Sequence, residues 1–200
     1  PSKETSGLLT NCFLERNDPR EALISLNNNF IKDLKPNSTI GTSSYRREFQ
    51  LKRIRKDISY KLIRGNIDTR IKKLKNKEYD AIVLSLAGIE MLHLRDHVKE
   101  IFTTEQMLPA IGQGTIALQC RQNDQKTLNI LEAINDKETY YCIQAERALL
   151  EAIDGDCDTA IGGLAKLLNE KISLKSQLFS NDGKKKFEFQ SSGHFSEAKE

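Results

Sequence analysis

Apolar and polar positions alternate along the first half of the chain in a way that predicts strands and helices in turn. Residues 21–26, Glu-Ala-Leu-Ile-Ser-Leu, read as a short strand, and Asn27-Asn28-Asn29 as a loop. Pro36-Asn37-Ser38 predicts a turn ahead of a short strand at Thr39-Ile40. Gly41-Thr42-Ser43-Ser44 then opens a helix to about residue 55, with Ser43 or Ser44 as the N-cap. Residues 58–63 read as a strand and Arg64-Gly65-Asn66 as a tight loop. A second helix begins at Asp68 or Thr69 and buries a face made by Ile67, Ile71 and Leu74. Ala81-Ile82-Val83-Leu84-Ser85-Leu86 is the continuous apolar run of a strand covered on both faces. This alternation predicts an α/β unit with a largely parallel sheet.

The pattern then changes. Residues 108–114 form a turn-rich connector before a strand at 115–120, and helices follow at about 124–135 and 137–153. Residues 161–168, 172–179 and 186–190 read as strands, with Asn169-Glu170 and Asn181-Asp182-Gly183 placed for hairpin turns. The second unit is therefore α+β with an antiparallel sheet, and the boundary falls at about 122–127. Residues 191–200 are polar and expected to fray.

Composition narrows the function. The chain has 200 residues, of which 38% are hydrophobic and 30% charged, enough apolar material for a packed core. No apolar run is long enough to span a membrane. The net charge of +3 is too small to indicate nucleic-acid binding by itself. Cys12, Cys120, Cys142 and Cys157 form no CxxC pair and match no zinc spacing, which favours free thiols in a reducing compartment. Pro1 in place of Met, with no apolar leader after it, marks the chain as a fragment or a processed product.

Charge distribution says more than net charge. Arg46 and Arg47 stand in the first turn of a predicted helix, and Arg64 and Arg70 flank the start of the next. Helix starts offer unpaired backbone N–H groups and the positive end of the helix dipole. In a parallel α/β sheet such turns line one edge, where ligands bind. The planar guanidinium fork matches a carboxylate with two parallel hydrogen bonds. The segment 41–70 thus predicts a site for a ligand with several carboxylates. Phosphate is the rival, although no Walker-type or Rossmann-type glycine pattern occurs. Solvated surface charge and an RNA-binding face over Arg46, Lys52, Arg53, Arg55, Lys56 and Lys61 are further alternatives, the latter short of interleaved aromatics. Asp154, Asp156 and Asp158 alternate like a calcium loop, but Thr159 and Ala165 occupy the positions where that loop needs Gly and Glu. No metal site is expected, and His93, His97 and His194 lack ligand spacing.

Six motifs occur in one order: Glu15-Arg16-Asn17-Asp18-Pro19-Arg20-Glu21-Ala22, Gly41-Thr42-Ser43-Ser44-Tyr45-Arg46-Arg47, Arg64-Gly65-Asn66-Ile67-Asp68-Thr69-Arg70, Tyr79-Asp80-Ala81-Ile82, Ala87-Gly88 and Leu108-Pro109-Ala110-Ile111-Gly112-Gln113-Gly114. Together they resemble the porphobilinogen deaminase (hydroxymethylbilane synthase) family. The resemblance implies a transferase of tetrapyrrole and haem biosynthesis. It joins four porphobilinogen molecules head to tail with loss of ammonia, on a cysteine-linked dipyrromethane cofactor, and yields hydroxymethylbilane. It also implies a periplasmic-binding-protein-like α/β domain followed by the small α+β domain. On this basis residues 1–20 are the remnant of a link from an N-terminal domain and 21–103 the pyrrole-binding domain. Residues 104–123 are a connector strand that lacks sheet partners here, and 124–200 the cofactor-attachment domain, cut short at its C-terminal end.

Gly155-Asp156-Cys157-Asp158-Thr159-Ala160-Ile161-Gly162 resembles the family's cofactor loop, so Cys157 is the implied attachment site. Asp156 and Asp158 would raise its thiol pKa unless they point away. Ser44, Arg46 and Arg47 are implied to hold the carboxylates of the first cofactor ring, and Arg64 and Arg70 those of the next ring or the substrate. Thr42, Ser43, Gly65, Asn66, Gly88 and Gln113 are implied to line the same cofactor and substrate site. Met91 stands where the family usually has arginine, and Thr159-Ala160 where it has Val-Pro. The catalytic aspartate belongs to a His-Ser-x-Lys-Asp motif that does not occur in residues 1–200, so no catalytic residue is assigned and this segment alone is expected to be inactive. Porphobilinogen and the growing polypyrrole are the implied partners, without nucleic acid or membrane, in a protein monomeric when complete. A cytoplasmic location is expected, with a plastid as the alternative. The other functional reading is a non-catalytic α/β module that binds small carboxylates.

Overall fold

A computed structural model describes residues 5–156 and 159–199. Its centre is a five-stranded mixed sheet in the order β4-β3-β5-β2-β6. The strands are β2 (Glu21–Ser25), β3 (Thr39–Gly41), β4 (Ser59–Lys61), β5 (Ala81–Ser85) and β6 (Glu100–Ile101). Alternation along the strands divides the core into two layers. Ala22, Ile24, Ile82 and Leu84 face one cluster, while Leu23, Ala81 and Val83 face the other. Helix α2 (Ile67–Lys75) and the short α3 (Leu86–Met91) cover the first face through Ile71, Leu74, Leu86 and Ile89. Helix α1 (Tyr45–Ile54) covers the second through Leu51. Each such side chain, fully buried, contributes about 1.5–3 kcal/mol.

The expectation of a largely parallel sheet needs correction. β3 is parallel to both β4 and β5, but β2 runs antiparallel to β5, and β6 antiparallel to β2. Four apolar-rich residues in a row cannot reveal strand direction, because burial on both faces is the same either way. The direction matters here. It places Glu21, the first residue of β2, opposite Ser85, the last residue of β5. A strand start therefore lies among strand ends on the ligand edge.

The connector also differs from expectation. Its strand β7 (Ala117–Arg121) pairs antiparallel with β1 (Leu8–Phe13), through a bulge between Leu9 and Cys12. Residues assigned to the link supply the partner strand that the connector was expected to lack. The helix α4 (Gln125–Ile134) packs on this ribbon, where the Cys12 thiol donates to the Leu131 carbonyl at 3.1 Å.

The last unit matches its pattern except at its end: residues 191–194, expected to fray, continue the last strand in register with its neighbour, and a short 3-10 helix at Phe195–Glu197 follows, because the backbone pairing there does not depend on apolar side chains. The helix α5 (Lys137–Ala152) lies against a three-stranded antiparallel sheet of β8 (Ile161–Leu168), β9 (Lys171–Phe179) and β10 (Lys186–His194). Cys142 and Ala145 meet Ala165 and Ile172 in its core. Asn169 and Glu170 both adopt positive φ, as a two-residue hairpin turn demands.

Candidate functional site

The edge of the sheet is shaped by its turns. The β3–α1 turn is tight because Gly41 lies against Tyr79, whose Cδ1 would be 2.9 Å from an added Cβ. Thr42 is buried; its N–H donates to the Lys61 carbonyl, and its hydroxyl accepts from the Ser44 N–H. Ser43 is exposed, and Ser44 caps α1 by accepting from the Arg47 N–H at 3.4 Å. Asn66 caps α2 more tightly, accepting from the Thr69 N–H at 2.9 Å. Gly65 has φ +117°, and its carbonyl accepts from Arg70 Nε at 2.7 Å. Gly88 leaves room for Ile67, whose Cδ1 would be 2.9 Å from a Cβ there, so α3 rests on the start of α2.

The arginines divide into distinct environments. Arg46 is only 4% exposed and points back into the protein. Its Nη2 donates to Glu21 Oε1 at 2.7 Å and its Nη1 to the Leu108 carbonyl at 2.8 Å. Arg47 Nη2 lies 2.9 Å from Glu21 Oε2, and its Nη1 donates to the Val83 carbonyl at 3.3 Å. Its Nε is buried with no hydrogen-bond partner. Arg64 is exposed and Arg70 half-buried. Among the described residues, neither is within ion-pair distance of a carboxylate. Burial, and after it the charge of Arg47, pushes the Arg70 guanidinium below its ordinary value. Arg47 and Arg70 are thus brought together as like charges, while Arg46 is held apart by its partners.

Glu21 is fully buried and was not singled out by the sequence. Burial works to raise its pKa, but Arg47 and Arg46 outweigh that effect and hold the carboxyl below its ordinary value. The available signal was a charged residue at the head of an apolar strand, inside the Glu15–Ala22 motif.

A second buried carboxylate was also missed. Glu146, on α5, accepts from Arg16 Nη1 at 2.6 Å, Arg16 Nη2 at 3.3 Å, the Gly112 N–H at 2.6 Å and the Ala165 N–H at 2.8 Å. It joins the link, the connector and β8. Gln113 works beside it: Nε2 donates to the Pro19 carbonyl at 2.6 Å, and its own carbonyl accepts from Arg16 Nε at 2.9 Å. Thr139, Cys142, Ile143 and Glu146 share the buried stripe of α5, so a charged residue at an apolar position was the available clue.

Cys157 and Asp158 lie outside the described residues; the flanking residues are described. Asp156 Oδ1 accepts from both the N–H and the hydroxyl of Thr159 at 3.0 Å. Ala160 forms a buried cluster with Phe179 and with Phe49, one helical turn after Arg46. Gly183, at φ +69°, also packs on Phe49, and Arg53 donates to the Lys184 carbonyl at 3.3 Å. The connector adds a third contact. The Gly163 N–H donates to the Pro109 carbonyl, and Gln50 exchanges hydrogen bonds with both the N–H and the carbonyl of Leu108. The start of β8, which follows residues 157–158 in the chain, is therefore rooted against the helix that carries Arg46 and Arg47. A separate cleft of about 720 Å³, lined by residues that include Arg16, Arg20, Thr104, Glu138 and Lys166, contains none of Arg46, Arg47, Arg64 or Arg70.

A mixed sheet whose edge carries guanidinium groups, those of Arg46 and Arg47 paired with Glu21 and those of Arg64 and Arg70 without a carboxylate partner among the described residues, with a second module fastened to the same helix, defines an α/β protein with a basic sheet edge. Residues 1–129 match the family model described as porphobilinogen deaminase, dipyromethane cofactor binding domain, and residues 140–200 match porphobilinogen deaminase, C-terminal domain. The chain belongs to the porphobilinogen deaminase family. The porphobilinogen deaminase of Macrococcus caseolyticus is 41% identical over 194 residues, which cover 96% of this chain and 63% of that protein. The Bacillus subtilis porphobilinogen deaminase is 41% identical over 186 residues, covering 92% of this chain and 59% of that protein. The chain thus spans less than two thirds of the length of these relatives. Family membership weighs against the non-catalytic carboxylate-binding alternative. Similar solved structures include a YaeC-family lipoprotein from Enterococcus faecalis, with TM-score 0.43 and 16% identity over 70% of this chain and 68% of that one. A Salmonella typhimurium periplasmic binding protein has TM-score 0.40 and 15% identity over 64% of this chain and 58% of that one. No helix among the described residues is long and apolar enough to cross a membrane.

Proposed function

We propose that residues 1–200 supply the pyrrole-binding and cofactor-tethering parts of an enzyme that condenses porphobilinogen head to tail into hydroxymethylbilane. The carrying observation is the pair Arg47 and Arg70: two guanidinium groups near one another, one with a buried unpartnered Nε and the other with no carboxylate partner among the described residues. Such a place fits the acetate and propionate arms of a pyrrole. Arg47, Arg64 and Arg70 would hold those arms, and the Gly65 and Ser44 turns would set where the guanidinium groups stand. Cys157 would hold dipyrromethane by a thioether, because a thiol is the soft nucleophile that makes a stable bond to a pyrrole methylene. When bound, dipyrromethane supplies the primer to which incoming pyrroles are joined. The engagement of the Asp156 carboxylate by Thr159 eases the conflict expected between that charge and the neighbouring thiol. In this reading the proton-transferring carboxylate of the reaction is not among residues 1–200, which bind and orient. A reducing, cytoplasmic setting accords with a Cys157 that must reach its cofactor as a free thiol.

Intact-mass analysis tests the assignment. The complete natural protein, purified from cells that make porphobilinogen, should carry a covalent addition of two pyrrole units that is absent from Cys157→Ala. Wild-type protein with active condensation and an unmodified Cys157 would sink the reading.

A further inference from the structure

Buried ion pairs are weak contributors to stability, since well-packed apolar groups in their place are often as good or better. A carboxylate with two arginines at the head of the otherwise apolar β2 therefore calls for another explanation. Glu21 is completely buried, and Arg46 beside it is nearly so. Arg46 has both of its Nη atoms committed, to Glu21 and to the Leu108 carbonyl. Arg47 Nη2 lies within ion-pair distance of the other Glu21 oxygen and Nη1 donates to the Val83 carbonyl, while the buried Nε–H and that Glu21 oxygen are both without a hydrogen-bond partner. One carboxylate thus fixes two guanidinium groups in different ways.

We infer that Glu21 is the positioning residue of the arginine site: it locks Arg46 in place as a structural strut and turns Arg47 so that its Nε–H serves the ligand. The inference rests on the pyrrole-binding function proposed above and deepens it by separating two adjacent arginines that the sequence makes equivalent. The antiparallel direction of β2 is what makes the arrangement possible, because it brings a strand's first residue to the edge where β3 and β5 end. Arg70, with its Nε tied to the Gly65 carbonyl, lies near enough to feel the charge of Arg47. An arriving carboxylate would take up the Arg47 donor and relieve the repulsion between Arg47 and Arg70. Arg46 would gain nothing from it.

Arginine Nε–Hε resonances of the ¹⁵N-labelled chain, assigned with Arg46→Lys and Arg47→Lys, test this division during titration with porphobilinogen. The Arg47 resonance should move and that of Arg46 should stay. Arg47→Lys should weaken porphobilinogen binding about tenfold or more, the loss of one charge-assisted hydrogen bond. Glu21→Gln should weaken it to a similar extent, and Glu21→Asp, which keeps the charge, should restore most of it. If Glu21→Gln does not fold, the contrast between the Arg46 and Arg47 resonances during titration of the wild-type chain still decides the matter. An Arg46 resonance that tracks the ligand, or Glu21→Gln binding at wild-type strength, overturns the inference. A wild-type chain with no saturable response at all would instead sink the pyrrole-binding function. The role of Glu21 is then read from solvent exchange of the Arg47 Nε–Hε in ligand-free Glu21→Gln: faster exchange than in wild type supports it, and unchanged exchange refutes it.

Discussion

Single residues carry most of what makes this molecule more than a generic α/β fold, and the buried ones were the hardest to foresee. Arg46 and Arg47 are adjacent, in one motif, in one helical turn. Side-chain type alone assigns them the same task. Their partners distinguish them: both meet Glu21, but Arg46 also holds the Leu108 carbonyl and Arg47 the Val83 carbonyl, and the place of Glu21 depends on a strand direction that burial patterns do not encode. Arg64 and Arg70 were easier, because a loop of Arg-Gly-Asn followed by a helix constrains where they can stand. Cys142 shows a third kind of hidden chemistry. Burial, and then the charge of Glu146, pushes its thiol from 9.0 up to about 11. As pH rises past 9 the unfolded thiol loses its proton while the folded one keeps it, so folding stability falls between about 9 and 11. Melting temperatures across this window should drop more steeply for the wild type than for Cys142→Ala; equal slopes would show that Cys142 contributes nothing to the decline.

Elements were read well wherever periodicity and turn chemistry agreed. The strands β8 and β9, the Asn169-Glu170 turn and the helices α4 and α5 lie within a residue or two of expectation. β1 and α3 were not anticipated. β1 lacks alternation and earns its place by pairing with β7 across more than 100 residues of chain. α3 follows β5 without a break, so its first residues merge into the apolar run. The contact between the β9–β10 turn and α1 is likewise invisible locally. Gly183 sits there at φ +69°, and a Cβ would lie 2.5 Å from the Phe49 ring. Gly183→Ala should destabilise the chain by about 1–2 kcal/mol from backbone strain alone, with the clash added. A fall in the denaturant midpoint with an unchanged slope would register this, and an unchanged midpoint would mean that the turn is not pressed onto α1.

At the scale of the whole molecule, the two buried carboxylates act as fastenings for different joints. Glu21 fixes α1 to the sheet, and Glu146 fixes α5 and β8 to the link and the connector. Glu146→Gln would leave Arg16 without its counter-charge and exchange one acceptor oxygen for an NH₂ group. Breaking a buried pair in this way costs about 3–5 kcal/mol. Limited proteolysis should then cut the connector near residues 110–116 far faster than in wild type, ahead of the five-stranded sheet. Equal cleavage rates would refute a fastening role.

The connector has a mechanical consequence of its own. Leu108 is pinned to α1 by Arg46 and Gln50, and Gly112 is pinned to α5 by Glu146. Four residues of fully extended chain reach at most about 14 Å. The two modules are therefore moored on a short leash. Packed together through Phe49 as well, they cannot drift apart while both moorings hold, so the span from the arginine edge to the start of β8 is limited by covalent chain length.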